Sequence, residues 1–222
     1  MEKTNTLLKA DLEYRIILLG NTAVGKTCLF KKLTVGTYKE KNVSTIGIDK
    51  RTFELKCELE DKDGNTKTKR VQICLTDTAG EERYKALTRS YYKSSDAAII
   101  LYDITDKNSY DSIDEWIQSI NNSAANLDRS TYTIFLMGTK IDLVESGVKE
   151  RDVLEEDAID KCEENKLEWG GEISNKEFTV EQIEKIFEGF IKKMYKKLGV
   201  SKSQQESLKL ANFKNKKKKK FC

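Results

Sequence analysis

The chain contains no histidine, and this absence excludes two kinds of site. No imidazole metal ligand can form, and no hydrolase of the Ser-His-Asp or Cys-His type can be built without its histidine base. Apolar runs are short, and none approaches the ~18 residues that a membrane-crossing helix needs. The five cysteines form no C-x-x-C pair, so no zinc knuckle is predicted, and reduced thiols of a cytosolic protein are expected.

Positive charge is concentrated at the C-terminal end. The formal net charge is +3, but residues 199–222 carry eight lysines against one glutamate, a local charge of +7. Residues 1–198 therefore carry −4, and a mildly acidic body is not expected to bind nucleic acid. The polar sequence after residue 198 predicts a disordered tail. The expected organisation is an N-terminal extension of residues 1–12, one domain of residues 13–198, and the tail of residues 199–222.

Short apolar runs alternate with longer segments of helical period, a pattern typical of α/β domains. Arg51–Glu60 also has strand character, and Asp63-Gly64 supplies a turn that pairs it with the next strand as a hairpin. We therefore expect a mostly parallel six-stranded sheet with one antiparallel strand and helices on both faces. Ligands of such sheets bind where the carboxyl ends of the strands open into loops. The runs predicted as strands buried on both faces are Tyr14–Leu19, Val71–Leu75, Ala97–Tyr102 and Thr133–Met137.

Two amphipathic helices are predicted from the spacing of apolar side chains. The first covers Ser109–Ala124, and a capping box at Thr179 and Gln182 begins the second. The pair Gly170-Gly171 lies where a last apolar strand should run, and tandem glycines argue against that strand. The apolar residues at helical spacing are Tyr110, Ile113, Ile117 and Ile120 in the first helix, and Ile183, Phe187, Phe190 and Met194 in the second.

The first predicted strand runs directly into Gly20–Thr27, which fits the pattern G-x-x-x-x-G-K-[ST]. Its glycines allow the backbone to curl so that N–H groups face a polyphosphate, and the following helix adds its positive N-terminus. Lys26 would reach the β- and γ-phosphates, and the Thr27 hydroxyl would bind Mg²⁺. The alternative is a chance glycine turn between a strand and a helix. The residues predicted to line this phosphate loop are Asn21, Thr22, Ala23, Val24, Gly25, Lys26, Thr27 and Cys28.

A second polar loop begins at Asp77 and reaches Gly80, at the end of the third strand. A carboxylate at this position can hold a water on Mg²⁺, and a flexible glycine can turn its N–H towards a γ-phosphate. Taken alone, the segment would be an ordinary turn that ends a strand. Downstream of a phosphate loop, it predicts a second part of the same site.

Two further segments indicate recognition of guanine. Gly138–Asp142 follows another strand, and the Asp142 carboxylate can accept two hydrogen bonds from guanine, at N1–H and at the exocyclic amino group. Adenine offers no such donors at these positions, and it would leave the carboxylate buried and unpaired. The stem of Lys140 can cover the base, and a last loop could close over it. That loop consists of Ser174, Asn175 and Lys176.

In this order, the motifs resemble the Ras superfamily of small GTPases, and its Rab branch in particular, over residues 13–197. The stretches most similar to Rab proteins are Ser44–Asp49, Asp77–Tyr84, Tyr91-Tyr92 and Leu101–Thr105. The resemblance implies a P-loop NTPase fold, GTP or GDP as the bound nucleotide, and Mg²⁺ as cofactor. It also implies partners: an exchange factor, a GTPase-activating protein, effectors, the prenyl-transfer machinery and a GDP-dissociation inhibitor.

Specific roles also follow from this resemblance. Thr45 would bind Mg²⁺ only when a γ-phosphate is present, and Tyr38 would pack on the base. Segments 38–50 and 78–92 would be two switches, ordered by GTP and released after hydrolysis. The metal ligands implied are Thr27, Thr45 and Asp77, the catalytic residues are Lys26, Thr45, Gly80 and Glu81, and Thr139 begins the guanine motif.

Four positions depart from the family pattern. Glu81 stands where most members have the glutamine that orients the attacking water. A carboxylate can accept a hydrogen bond from that water, but it brings negative charge near the γ-phosphate. Thr22 stands where many members have glycine or serine, and there it would crowd an arginine finger. Thr139 replaces an asparagine, as in the Rho branch, and Asn175 replaces an alanine whose backbone N–H makes the contact, so guanine selectivity is expected to persist.

The surface that Rab effectors bind is also altered. Of three aromatic positions in Rab proteins, only Tyr91 remains, and Lys50 and Thr76 replace the others. An apolar patch is therefore predicted to be polar here. The hairpin between the switches is also about nine residues longer than usual, around Asp61–Lys69. We expect a divergent set of partners.

The C-terminal sequence Lys216–Lys220 followed by Phe221-Cys222 allows three interpretations. It can be a solvated end, a nuclear-localisation patch or a membrane patch. Cys222 favours the last, because a terminal cysteine resembles the acceptor that Rab proteins use for geranylgeranylation. One lipid chain binds membranes only marginally, and lysines near an anionic leaflet add roughly 1 kcal/mol each. The expected location is the cytoplasmic face of a membrane.

Two functions remain open on this sequence, and a third candidate fails. The first is a slow GTPase that cycles between GDP and GTP and recruits effectors at a membrane, in vesicle trafficking. The second is a nucleotide-gated binding module with little or no hydrolysis, which Glu81 and Thr22 keep open. The third, a purely structural α/β domain, does not account for the ordered set of motifs.

Overall fold

The computed structural model describes residues 10–37, 48–61, 63–78, 92–123 and 131–198, which form one six-stranded sheet with helices around it. The strand order is β2-β3-β1-β4-β5-β6, with β2 antiparallel to β3 and every other neighbouring pair parallel. This confirms the expected fold class. The strands are β1 (Leu12–Leu19), β2 (Ile48–Glu60), β3 (Thr66–Thr78), β4 (Ala97–Asp103), β5 (Thr133–Thr139) and β6 (Glu168–Ile173). The helices are α1 (Lys26–Val35), α2 (Lys107–Asp111), α3 (Ile113–Ser123), α4 (Ile141–Glu145), α5 (Glu155–Asn165) and α6 (Val180–Leu198).

The sheet separates two hydrophobic cores, one on each face. Every residue of β4 and β5 is buried, as expected for central parallel strands covered on both sides. Side chains that alternate along β1 enter different cores: Ile16 packs with α1 and α6, and Ile17 packs with α2, α3 and α5. All four apolar runs predicted as strands are strands, and each is longer than its apolar run because the ladder continues into polar residues.

The predicted hairpin of β2 and β3 is confirmed, with its register set by Glu60 opposite Thr66. Its turn is held by Asp61, whose Oδ1 accepts hydrogen bonds from the N–H groups of Asp63 and Asn65 at 3.0 and 2.9 Å. These bonds, that from Asn65 first, lower the pKa of the Asp61 carboxyl. Gly64 has φ +81°, which a glycine adopts without strain. The hairpin therefore ends in a defined turn.

The prediction of one continuous helix over Ser109–Ala124 is wrong at its start and in its continuity. The helix begins at Lys107, because the Asp106 side chain accepts a hydrogen bond from the N–H of Asn108 and caps it. It is divided at Ser112, whose hydroxyl donates to the Asn108 carbonyl at 2.8 Å, a contact that bends helices. Residue 124 lies outside the described residues. The predicted apolar face is confirmed, since Tyr110, Ile113, Ile117 and Ile120 are all buried.

The capping box that begins the last helix is confirmed. The N–H of Thr179 donates to Oε1 of Gln182 at 2.7 Å, and the N–H of Gln182 donates to Oγ1 of Thr179 at 3.2 Å. Two backbone N–H groups are thereby satisfied at the start of α6. The predicted apolar face of this helix is buried, as Ile183, Phe187, Phe190 and Met194.

The tandem glycines lie inside a strand, contrary to the expectation from composition. A Cβ on Gly170 would lie 2.9 Å from Cζ of Phe190 and 3.0 Å from the carbonyl oxygen of Leu136, so only glycine fits between α6 and β5. Gly171 has φ +84°, and the pairing of β5 with β6 shifts register between Leu136 and Gly138. The glycines therefore form a bulge that ends close to the candidate site.

Among the helices of the described residues, none combines the length and apolarity that a bilayer-spanning helix needs.

Candidate functional site

The phosphate loop joins β1 to α1 in the curled conformation that its glycines predict. Gly20, Ala23 and Gly25 have φ values of +129°, +63° and +99°. A Cβ on Gly20 would lie 2.2 Å from the carbonyl oxygen of Leu101, and a Cβ on Gly25 would lie 2.8 Å from Nδ2 of Asn175. Both glycines are therefore required by close packing as well as by their backbone angles.

Lys26 lies across this loop. Its side chain is nearly buried, with 5 % exposed, and Nζ donates to the carbonyl oxygens of Gly20 and Asn21 at 2.8 and 2.7 Å. Burial lowers the pKa of Lys26 to about 8, and the nearby Asp77 carboxylate only partly offsets that effect. An anionic ligand at the loop would restore the preference of this amine for its charged form.

Two of the three predicted magnesium ligands, Thr27 and Asp77, lie together beside the loop, and the third, Thr45, lies outside the described residues. Oγ1 of Thr27 donates to Oδ2 of Asp77 at 2.6 Å, and Asp77 is 1 % exposed at the end of β3. A hydroxyl and a carboxylate are hard oxygen donors, which suit Mg²⁺. No group of three or more acidic or cysteine residues within the described part of the chain could hold a metal alone.

The end of β5 lies against the phosphate loop. Thr139 is fully buried, and its Oγ1 lies 2.8 Å from the carbonyl oxygens of both Val24 and Tyr102. The hydroxyl therefore links the predicted guanine motif to the phosphate loop and to β4. Asp142 follows, half-buried, in the first turn of α4.

Lys140 is fixed in a defined position next to Thr139. It has φ +68°, and its Nζ lies 2.6 Å from Oδ2 of Asp103 at the end of β4. Burial raises the pKa of Asp103, but hydrogen bonds from Lys140 and from the N–H and hydroxyl of Thr105 outweigh it, so that the pKa is lowered. This ion pair fixes the side chain of Lys140, whose stem is the part predicted to cover a base.

The last predicted segment, Ser174–Lys176, follows β6, and together with Glu177 we name it the base loop. Oγ of Ser174 accepts hydrogen bonds from the N–H groups of Lys176 and Glu177 at 3.1 and 2.8 Å. Nδ2 of Asn175 donates to the carbonyl oxygen of Gly25 at 3.2 Å. The base loop is thus folded on itself and attached to the phosphate loop.

Two contacts at the site were not predicted from the sequence. Lys32 in α1 bonds the base loop, and nothing in the sequence distinguishes it from the neighbouring Lys31. Trp116 donates its indole N–H to Oδ1 of Asn21 at 3.0 Å, and Nδ2 of Asn21 donates to Oγ of Ser112 at 2.9 Å. Helical spacing could have predicted that Trp116 is buried, but not which group its N–H meets.

Several predicted site residues can be placed only in part. Thr22 is exposed in the phosphate loop and Cys28 is half-buried in α1. Lys50 and Thr76 are direct cross-strand partners, with Lys50 exposed and Thr76 buried, so the predicted polar surface contains Lys50 but not Thr76. The predicted residues outside the described part of the chain are Tyr38, Thr45, Gly80, Glu81, Tyr91 and Cys222, together with the tail of residues 199–222.

The chain is similar to proteins of one known family over most of the domain. A model of the Ras family matches residues 15–196. The chain is 39 % identical over 177 residues to human "Ras-related protein Rab-19", which covers 80 % of this chain and 73 % of that protein. It is 38 % identical over 146 residues to "GTP-binding protein YPT1" of Saccharomyces cerevisiae, covering 66 % of this chain and 65 % of YPT1, slightly under two thirds of that relative. Human "Ras-related protein Rab-30" is 38 % identical over 137 residues, 61 % of this chain and 60 % of that protein. The chain therefore belongs to the Ras family of small GTPases and is a Rab-like member of it.

Proposed function

We propose that this protein is a guanine-nucleotide switch that binds GTP or GDP with Mg²⁺, hydrolyses GTP slowly and recruits effectors at a membrane in vesicle trafficking. The observation that carries the proposal is the junction of its loops. Thr139 lies 2.8 Å from the Val24 carbonyl oxygen, and the Asn175 amide bonds the Gly25 carbonyl oxygen at 3.2 Å. Groups suited to a purine base therefore adjoin groups suited to a polyphosphate.

Phosphate binding is assigned to the phosphate loop. Its backbone N–H groups and the N-terminus of α1 would face the phosphate oxygens. Lys26 would exchange its bonds to the Gly20 and Asn21 carbonyl oxygens for bonds to the phosphates. A charged amine in a buried position stabilises anionic oxygens more than it would in water.

Mg²⁺, when bound, would neutralise charge on the β- and γ-phosphates. Thr27 and Asp77 are the described residues that would hold it, Thr27 directly and Asp77 through a water. Thr45 is proposed as the ligand that responds to a γ-phosphate. Segments 38–50 and 78–92 would then be the two switches.

Base selectivity is assigned to Asp142, Lys140 and the base loop. The Asp142 carboxylate would accept hydrogen bonds from N1–H and the amino group of guanine, whereas adenine would leave it unpaired. The Lys140 stem, held by Asp103, would cover one face of the base. The backbone N–H of Asn175 would donate to the guanine O6 atom.

Hydrolysis is assigned to a water oriented by Glu81, with Gly80 and Lys26 acting on the γ-phosphate. A carboxylate accepts a hydrogen bond from the attacking water but repels the γ-phosphate, so we expect a slow reaction. The second candidate is a nucleotide-gated binding module without hydrolysis, which the Glu81 and Thr22 positions favour. In either case an exchange factor, a GTPase-activating protein and effectors would act on the switches, and the polar Lys50 indicates that the effectors differ from those of other Rab proteins.

Membrane attachment is assigned to the tail. A prenyl group on Cys222, added by prenyl-transfer machinery and extracted by a GDP-dissociation inhibitor, would act together with Lys216–Lys220 on an anionic membrane surface. The protein would then reside in the cytoplasm and on the cytosolic face of its membrane.

The proposal is tested by the nucleotide content and turnover of the purified protein. We expect guanine nucleotide to co-purify, to be released by EDTA, and bound GTP to be hydrolysed in a single turnover. Glu81→Gln should accelerate hydrolysis and Glu81→Ala should abolish it. Protein that retains GTP indefinitely would support the non-hydrolysing module, and protein that neither carries nor takes up guanine nucleotide would refute both candidates.

A further inference from the structure

We propose that Lys32, a residue of α1, is a positioning residue for guanine recognition, because its side chain anchors the base loop. The proposal rests on the proposed function, since it assigns a role within the guanine site. No motif marks this residue, which lies in α1 less than two helical turns after the phosphate-loop lysine.

The amine of Lys32 is buried against the base loop. Its side chain is 6 % exposed, and Nζ donates to the carbonyl oxygens of Asn175 at 2.8 Å and Lys176 at 3.4 Å. A buried ammonium group needs such partners, because an uncompensated charge away from water is costly. Burial lowers the pKa of Lys32, and the neighbouring Glu177 carboxylate only partly offsets that effect. The amine is therefore held where it contacts two consecutive peptide groups.

Those two peptide groups are fixed at both ends. The carbonyls of Asn175 and Lys176 accept from Lys32, and the N–H groups of the same peptides, those of Lys176 and Glu177, donate to Oγ of Ser174. Because a peptide group is planar, contacts at both its oxygen and its nitrogen define its orientation. The N–H of Asn175 belongs to the preceding peptide, and it is the group that we assign to the guanine O6 atom.

The Asn175 side chain adds a second support on the opposite side. Its Nδ2 bonds the Gly25 carbonyl oxygen, while its Oδ1 is buried and has no partner among the described residues. A buried acceptor without a partner is unfavourable, so the bond to the phosphate loop is what fixes the amide. The base loop is thus held between α1 and the phosphate loop, and Lys32 provides the charged half of that attachment.

The role can be separated from a merely structural one by changing the base. An anchor of the base loop acts on the hydrogen bond to O6. Its loss should therefore lower the affinity for nucleotides that carry O6 and leave the affinity for nucleotides without O6 unchanged. A general loss of stability would weaken both kinds alike. The diphosphate of 2-aminopurine riboside lacks O6 and the N1–H of guanine but keeps the exocyclic amino group, the ribose and the phosphates of GDP. The missing N1–H bond to Asp142 weakens the analogue equally in every variant, so it cancels when each variant is compared with wild type.

The experiment compares dissociation constants of GDP and of this analogue for the full chain and its variants. Lys32→Met should raise the dissociation constant of GDP about tenfold, equivalent to ~1.4 kcal/mol, and that of the analogue less than about twofold. Lys32→Arg, which keeps a charged donor, should restore most of the GDP affinity. Lys31→Met on the same helix is the matched control and should change neither constant. If Lys32→Met does not fold, Lys32→Gln provides a neutral variant with a remaining donor, and thermal unfolding identifies that case.

Two results would overturn the proposal while leaving the guanine site intact. One is that Lys32→Met lowers the affinity for both nucleotides equally. The other is an unchanged GDP affinity in a folded Lys32→Met variant. A wild-type protein that binds no GDP would overturn the proposed function and the anchor together.

Discussion

At the scale of single residues, Lys26 combines a binding role with a cost to the folded protein. Its amine is nearly buried, and this burial lowers its pKa from 10.5 to about 8, an effect that the nearby Asp77 carboxylate only partly offsets. Between these values the unfolded chain binds the proton more tightly than the folded one, so the free energy of unfolding rises with pH there. The destabilisation is complete below pH 8 and is relieved as the pH rises towards 10.5.

Lys26→Met is therefore expected to stabilise the nucleotide-free protein at pH 7 while it abolishes GDP binding. The gain is at most on the order of 3 kcal/mol, less the two hydrogen bonds that are lost. Thermal unfolding in EDTA at pH 7 and pH 10 measures it, with wild type as reference. A stability difference that does not shrink at pH 10 would contradict this explanation.

Asp142 allows a test in which the base specificity changes rather than disappears. Xanthine carries a carbonyl oxygen where guanine has its amino group, so an amide that donates and accepts suits it better than a carboxylate. Asp142→Asn is expected to lower the affinity for GDP at least tenfold and to raise that for the xanthosine diphosphate. Competition binding measures both constants. If Asp142→Asn lowers the affinity for both nucleotides to the same extent, Asp142 does not contact the base.

At the scale of secondary-structure elements, β6 depends on its contact with α6. The ring of Phe190 and the Leu136 carbonyl leave no room for a Cβ at Gly170, whereas Gly189, on α6 itself, has no heavy atom within 4 Å of its Cβ position. The two glycines therefore differ in their effect on stability. Packing requires Gly170, whereas Gly189 lowers helix stability because of its conformational freedom.

The two glycine substitutions are expected to have opposite signs. Gly170→Ala should destabilise the protein by about 1–3 kcal/mol, because the added methyl must displace Phe190 or the backbone of β5. Gly189→Ala should stabilise it by up to about 1 kcal/mol. Urea unfolding of GDP-bound protein measures both changes. A neutral Gly170→Ala would mean that β6 and α6 can separate without loss.

The elements around the site show which local features the sequence can predict. The capping box at Thr179 was predictable, because both partners are three residues apart in one helix start. The division of α2 from α3 was not predictable, because it depends on which carbonyl oxygen accepts the hydrogen bond from the Ser112 hydroxyl. The sequence also could not show why the sixth predicted strand accommodates Gly170-Gly171, because the Phe190 ring that requires a glycine there is distant in sequence.

At the scale of the whole molecule, charge separates a mildly acidic body from a basic tail. We expect removal of Cys222, and with it of the prenyl group, to shift the protein from membranes to the cytosol, because five lysines without a lipid do not suffice for stable anchoring. Replacement of Lys216–Lys220 by glutamine should weaken binding to vesicles that contain phosphatidylserine and leave binding to neutral vesicles unchanged. Sedimentation with vesicles measures both. Membrane retention without Cys222 would refute the lipid anchor.

The sequence by itself determined where the candidate loops of this protein lie and the order of its strands. Gly20–Thr27, Asp77 and Thr139–Asp142 are local motifs, and each follows an apolar run that is visible without the structure. Local patterns of this kind depend only on residue type and on spacing along the chain. They can therefore be recognised without knowing which elements pack together.

Only the tertiary structure decided which side chains support those motifs. Lys32 on the Asn175 carbonyl, Trp116 on Asn21 and Phe190 over Gly170 join residues far apart in the chain. Such contacts depend on the relative placement of packed elements, and one lysine or tryptophan of a helix looks like another until its neighbours are known. The physical reason is that a buried polar group takes whichever partner the fold brings within about 3 Å, and sequence spacing does not specify that partner.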